Sequence, residues 1–199
     1  MKIVFASANT NKVQEINALI GNQYTILGLS DIGITWEIPE PGDTIKENAC
    51  LKAQYVAEFL KKQGRNLTVF ADDSGLEVNM LNGAPGVHSA RYAVTPKNDE
   101  ANNQKLLHEL RNITKRKARF VTVIALIQDD TAQFFEGEIN GTIAYQCRGT
   151  NGFGYDPLFI PRGYRSTFAE LGPEVKNTIS HRALAIKKLL HFLETGTGF

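Results

Sequence analysis

The sequence predicts an α/β protein with a long mixed sheet flanked by helices, and three observations carry that expectation. Near the amino terminus, short apolar runs alternate with stretches of helical periodicity: Ile3 to Ala6, Asn11 to Ile20, then Thr44 to Lys62 leading into Leu67 to Ala71. A run rich in β-branched residues, Arg119 to Gln128, is followed across Asp129-Asp130 by Phe134 to Glu138, as in two antiparallel strands joined by a tight turn. The chain then closes on a helical pattern from Ser180 to Glu194.

Ile3 to Ala6 has the length and apolarity of a buried strand. In the helix that follows, Val13, Ile16, Leu19 and Ile20 share one face, and Gly21 ends it because glycine readily takes the left-handed closing conformation. The second helix opens with Thr44 and Glu47 at capping-box spacing, turns Ile45, Ala49, Ala53, Val56, Ala57 and Leu60 inward, and stops at Gly64. Leu67, Val69, Phe70 and Ala71 form a strand that is expected to end on Asp72-Asp73 and to turn at Ser74-Gly75. Asp99 to Leu110 reads as a helix. In the last helix Leu184, Leu189, Leu190 and Leu193 face the core, and the glycine-rich tail beyond it is expected to fray. No repeat, low-complexity tract or linker interrupts this order, so residues 1–199 read as a single domain.

Composition excludes several classes of function. With 22 Lys plus Arg against 21 Asp plus Glu, the formal charge of +1 argues against a general nucleic-acid surface, which needs a basic excess. Cys50 and Cys147 lie far apart without CxxC spacing, as expected of reduced thiols in a cytoplasmic protein. Met1-Lys-Ile-Val-Phe-Ala enters an apolar strand directly, without a signal-peptide pattern, and no apolar run approaches the roughly 20 residues of a membrane span. His88, His108, His181 and His191 are scattered and form no metal cluster by spacing.

Four segments carry chemistry. In Phe70-Ala71-Asp72-Asp73-Ser74-Gly75, adjacent carboxylates leave a strand in different directions, so one can face a site while the other anchors the loop; an isolated DDSG reads as a polar turn, and it is the surrounding text that reverses this. Ser7-Ala8-Asn9-Thr10-Asn11-Lys12 precedes a helix, whose unsatisfied amides, positive dipole end and lysine suit phosphate, although capping alone explains such a loop and no P-loop pattern is present. Gly152-Phe153-Gly154-Tyr155-Asp156-Pro157 offers aromatic faces for a base, glycine freedom and a carboxylate. Ser180 is a natural N-cap that places His181 and Arg182 in a first turn, where cations oppose the dipole and invite an anionic or carbonyl-bearing ligand.

These segments, together with Glu77 to Ala93, the Glu40 to Ala53 stretch and Lys176-Asn-Thr-Ile-Ser180-His-Arg, resemble the motifs of the inosine triphosphate pyrophosphatase family, in the same order and over nearly the whole chain. Pro41 and Ile45 depart from the family's usual Thr and Phe, and His88 stands where Tyr is usual. The resemblance implies an elongated two-lobed α/β fold with a cleft between the lobes, usually a homodimer. It also implies Mg²⁺-dependent hydrolysis of ITP, dITP and XTP to the monophosphate and pyrophosphate. By the same resemblance Asp73 and Asp72 are catalytic, and Glu40 and Asp73 hold the metal. Ser7, Ala8, Asn9, Thr10, Asn11, Lys12, Lys52, Ser74, Phe153, Gly154, Tyr155, Asp156, Lys176, His181 and Arg182 bind the nucleotide, with Lys12, Lys52 and Lys176 around the phosphates. Two other readings stay open: a purine-nucleotide sensor, against which the acids count, and a related pyrophosphatase for pyrimidine nucleotides, against which the SHR and FGYD segments count.

Overall fold

The computed structural model describes residues 1–197. Its strands are β1 (Lys2–Phe5), β2 (Thr25–Leu27), β3 (Thr68–Val78), β4 (Lys117–Gln128), β5 (Thr131–Ile143) and β6 (Phe159–Pro161), hydrogen-bonded in the order β2-β1-β3-β4-β5-β6. The helices are α1 (Thr10–Ile20), α2 (Ile45–Lys62), α3 (Asp99–Glu109), α4 (Phe168–Ile179) and α5 (His181–Thr195). β1 runs parallel to β2 and β3, with Val4 opposite both Leu27 and Val69, whereas β5 and β6 are antiparallel; the sheet is therefore mixed, as the sequence predicts. No described helix is long and apolar enough to cross a membrane.

The chain divides into two compact units. The first comprises Met1–Asp73, Thr122–Gly137 and Leu184–Phe199. Its core joins Ile3, Phe5 and Phe70 to Ile16 and Ile20 of α1 and to Ala185, Ile186 and Leu189 of α5. Phe5 and Phe70, register partners on β1 and β3, stack with centroids 4.8 Å apart. The paired stretches 3–5 and 69–71 are apolar because parallel strands covered by helices are buried on both faces. The second unit comprises Ser74–Val121 and Glu138–Ala183, with Leu76, Val78, Leu106, Leu110, Phe120, Tyr155, Phe159 and Phe168 in its core.

Several boundaries differ from those read in the sequence. β3 does not end at Asp72-Asp73 but continues through Ser74 and Gly75 to Val78, because ladder pairing and burial override the local turn signal. β5 extends well beyond Phe134 to Glu138, its exposed and less exposed positions alternating along much of its length. Thr44 caps α2 through the Glu47 amide, but the Glu47 carboxylate accepts from the Asp43 N–H instead of closing the box on Thr44. Leu184 faces solvent at 37% exposure, because α5 turns Ala185, Ile186 and Leu189 inward. β2, β6 and α4 were not among the elements expected from the sequence; α4 opens on a complete Thr167/Glu170 capping box and is interrupted at Gly172 and Pro173. The expected frayed tail falls partly on residues 198–199, outside the described residues.

Candidate active site

In the first unit, β3 carries Asp72 and Asp73, the first turn of α1 carries Lys12, α2 carries Lys52, and the loop ahead of α2 carries Glu40. Lys12 Nζ donates to Asp72 Oδ1 at 3.0 Å, and the Asp72 side chain is wholly buried. Lys52 Nζ donates to Glu40 Oε1 and lies 3.6 Å from Asp73 Oδ1. Two carboxylates from separate elements thus converge on one ammonium.

The electrostatics follow from this crowding. Burial raises the Asp73 carboxyl above the ordinary carboxylate value; Lys52 and Lys12 oppose the shift, and Glu40 and Asp72 add to it. Burial alone would lower the Lys52 ammonium, but Asp73, Glu40 and Asp72 outweigh it and hold the group above its ordinary value. The Glu40 loop is anchored by Asn48, whose Oδ1 accepts the Gly42 N–H at 2.7 Å and whose Nδ2 donates to the Gly42 carbonyl at 3.2 Å. A Cβ on Gly42 would stand 2.7 Å from that Oδ1, so only glycine allows the approach. Asn48 had no role in the sequence reading.

The Ser7 to Lys12 loop uses much of its polar capacity on itself. Asn9 Oδ1 caps α1 by accepting from the Asn11 and Lys12 amides at 3.1 and 3.2 Å, and Ser7 Oγ accepts from the Asn9 amide at 3.3 Å. Ala8, Thr10 and Asn11 are exposed. What this loop delivers to the acids is the Lys12 ammonium.

In the second unit the Gly152 to Asp156 loop is built around Asp156. Its buried Oδ2 accepts the Phe153 N–H at 2.8 Å and the Lys176 ammonium at 2.5 Å. Gly152 takes φ +80°, and a Cβ there would collide with the same oxygen. Lys176 Nζ stands 4.7 Å from the centre of the Phe153 ring, Lys97 Nζ 5.6 Å and Arg182 Cζ 5.8 Å, so the half-buried ring is ringed by cations. Lys176 therefore belongs with the Phe153 loop, and Lys97 is a neighbour the sequence did not single out. Arg182, 2% exposed, donates to Ser74 Oγ at 3.0 Å, and His181 stacks on Phe120 at 4.6 Å. Tyr155 is not a second face for a base: it is buried in the core, and its hydroxyl donates to the Ser89 carbonyl at 2.9 Å.

Among the described residues no group of three or more His, Cys, Asp or Glu side chains could cage a metal. Glu40 and Asp73, both within reach of Lys52, instead form a sparse set of hard oxygen donors. Such a set fits Mg²⁺, which keeps waters and takes phosphate oxygens as further ligands.

The chain belongs to the Ham1 family, whose model matches residues 3–192. It is 53% identical over 193 residues to the dITP/XTP pyrophosphatase of Porphyromonas gingivalis, covering 96% of this chain and 97% of that one. Against the dITP/XTP pyrophosphatase of Clostridium perfringens it is 45% identical over 193 residues, covering 94% and 95%. Among solved structures, the Ham1 protein of Staphylococcus aureus matches with a TM-score of 0.87 and 44% identity over 99% of this chain and all of that one. The dITP/XTP pyrophosphatase of Mycobacterium abscessus matches with a TM-score of 0.75 and 41% identity over 96% and 99%.

Proposed function

We propose that this chain is a Mg²⁺-dependent nucleoside triphosphate pyrophosphatase that hydrolyses dITP, ITP and XTP to the monophosphate and pyrophosphate. The carrying observation is the convergence of Glu40 and Asp73 on Lys52, in a chain 53% identical over nearly its full length to a dITP/XTP pyrophosphatase.

In this reading Glu40 and Asp73 hold Mg²⁺, which when bound would neutralise phosphate oxygens and the charge developing on the leaving pyrophosphate. Lys12 and Lys52 add fixed positive charge beside the acids, and both are already oriented by carboxylate partners. Asp73, with Asp72 nearby, would orient the attacking water and take up its proton. Asp72, fully buried, orients Lys12.

The second unit reads the base in this proposal. Phe153 supplies the stacking face. Hypoxanthine and xanthine present a carbonyl at C6 where adenine presents an amino donor, so donors from Arg182 and His181 favour the keto bases and oppose adenine. The working form is proposed to be a cytoplasmic homodimer: Cys50 and Cys147 are unbridged thiols, and Trp36 and Tyr55, 44% and 40% exposed, give a second copy an apolar surface to cover. The test is a panel of ITP, dITP, XTP, GTP, ATP and dUTP with Mg²⁺, with products identified by phosphorus NMR. Pyrophosphate from the deaminated purines is expected; release of orthophosphate, or equal rates on ATP, overturns the reading.

A further inference from the structure

The loop carrying Phe153 is gripped from α3. Asp99, the first residue of that helix, accepts the Gly154 N–H on Oδ2 at 2.7 Å. Asn103, four residues on and therefore on the same helix face, donates from Nδ2 to the Gly154 carbonyl at 2.9 Å. Both main-chain polar groups of one residue are thus held by two side chains of a single helical turn. Gly154 takes φ +61°, a left-handed conformation open to glycine. On either side the loop is fixed again, by Asp156 at the Phe153 amide and by the Tyr155 hydroxyl at Ser89.

Asn103 shows what this grip is for. It is 6% exposed, and its Oδ1 is buried without a hydrogen-bond partner among the described residues. A leucine of similar shape would leave no such orphan, so the Gly154 bond is what explains an asparagine here. Asp99 reaches the ring by a second route: the Lys97 ammonium, 5.6 Å from the Phe153 centroid, lies 3.1 Å from Asp99 Oδ1 as an ion pair, not an aligned hydrogen bond.

We propose that Asp99 and Asn103 are positioning residues for the purine base, locking the Gly154 peptides so that the Phe153 ring is presented ready to stack. A loop bearing glycines at 152 and 154 would otherwise have to order itself on binding and weaken affinity. This rests on the reading of Phe153 as the stacking face. Because the base is held alike in ground and transition states, the effect falls on KM and not on kcat.

The test measures kcat and KM for ITP, thermal stability, and inhibition by inorganic pyrophosphate, which has no base. The variants are Asn103→Leu, Asp99→Leu, Asp99→Asn, which keeps an acceptor for the Gly154 N–H, and Phe153→Ala. Asn103→Leu and Asp99→Leu are expected to raise KM about three- to tenfold, the effect of one lost hydrogen bond, with kcat within about twofold. Asp99→Asn should restore most of the wild-type KM; the Tm of Asn103→Leu should fall by no more than about 2–4 °C, the cost of one hydrogen bond, and its pyrophosphate inhibition should not move. If Phe153→Ala raises KM and Asn103→Leu does not, the positioning role is overturned while stacking stands. If Phe153→Ala leaves KM unchanged, stacking fails and the proposal with it. Parallel losses of stability, kcat and pyrophosphate inhibition would mark a purely structural role and overturn it as well.

Discussion

Lys52→Met isolates the electrostatics of the acid cluster, because methionine keeps the stem of a side chain that is only 7% exposed and removes the charge. In the wild type that ammonium bonds Glu40 and stands 3.6 Å from Asp73. At an effective dielectric of about 20, unit charges at that separation attract by about 5 kcal/mol. Desolvation offsets part of this, and removing one partner of a buried pair costs about 3–5 kcal/mol. Glu40 keeps 30% of its side-chain surface in water, so the lower end, about 3 kcal/mol, is expected. For a chain of this size that is a fall in Tm of about 6–12 °C in metal-free buffer near neutrality. The pH dependence has a definite sign. Asp73 is raised above 3.8, so the stability tied to its neutral form is fully present below that value and is lost as pH rises through the folded-state value. Lys52 is the largest influence opposing that rise, so its removal lifts Asp73 further and the deficit widens from acid toward neutral pH. Thermal unfolding followed by circular dichroism in EDTA across that range reads both effects. A Tm within about 2 °C of wild type near neutrality, or a deficit that widens toward acid, refutes the reasoning.

Exhaustive chelation should stop ITP hydrolysis and Mg²⁺ restore it, since two carboxylates and two lysines cannot replace the cation on a triphosphate; full activity in EDTA contradicts the Glu40 and Asp73 site. Gly152→Ala drives a Cβ into Asp156 Oδ2 at a left-handed backbone position and should raise KM for ITP by about tenfold through the lost Phe153 and Lys176 contacts. An unchanged KM would detach Asp156 from base binding. Tyr155→Phe removes the bond to Ser89 and should cost about 1 kcal/mol of stability without altering the preference for ITP over ATP, whereas a changed preference would return Tyr155 to the base.

The helices were legible where capping and periodicity agree, as with Thr44 and the Ile45, Ala49, Ala53 stripe of α2. The order of the motifs singled out the acids and lysines, and the fold brings Lys12 to Asp72 and Lys52 to Glu40 and Asp73. The continuation of β3 through Asp72 to Gly75 was not, because the local text is that of a turn. What holds it straight is ladder pairing and the burial of Asp72 against Lys12, 60 residues away. Phe153 and Tyr155 share nearly the same surroundings in sequence, and only the distant Ser89 carbonyl and the second core decide that Tyr155 lies inside. Asn48 and Asn103 hold main-chain atoms of glycines, and Asp99 joins Asn103 on Gly154; such bonds depend on where the backbone passes and leave no pattern in the residues themselves. Gly172 and Pro173 are helix breakers in the local text, and α4 runs across them with a kink at Gly172.

The central claim is a division of labour, in which the acids and lysines beside Asp73 do the chemistry and the Phe153 and Arg182 cluster reads the base. It is tested most directly by the ratio of kcat/KM for ITP over ATP in Asp73→Asn and in Arg182→Met, the latter keeping the buried stem. Asp73→Asn is predicted to lower turnover on both substrates by more than about tenfold, at least 1.4 kcal/mol of barrier, and to leave the ratio unchanged. Arg182→Met is predicted to lower the ratio about 10- to 150-fold, the loss of one charged hydrogen bond of about 1.5–3 kcal/mol. An equal fall for both bases in Arg182→Met, or a ratio that shifts in Asp73→Asn, would contradict the claim.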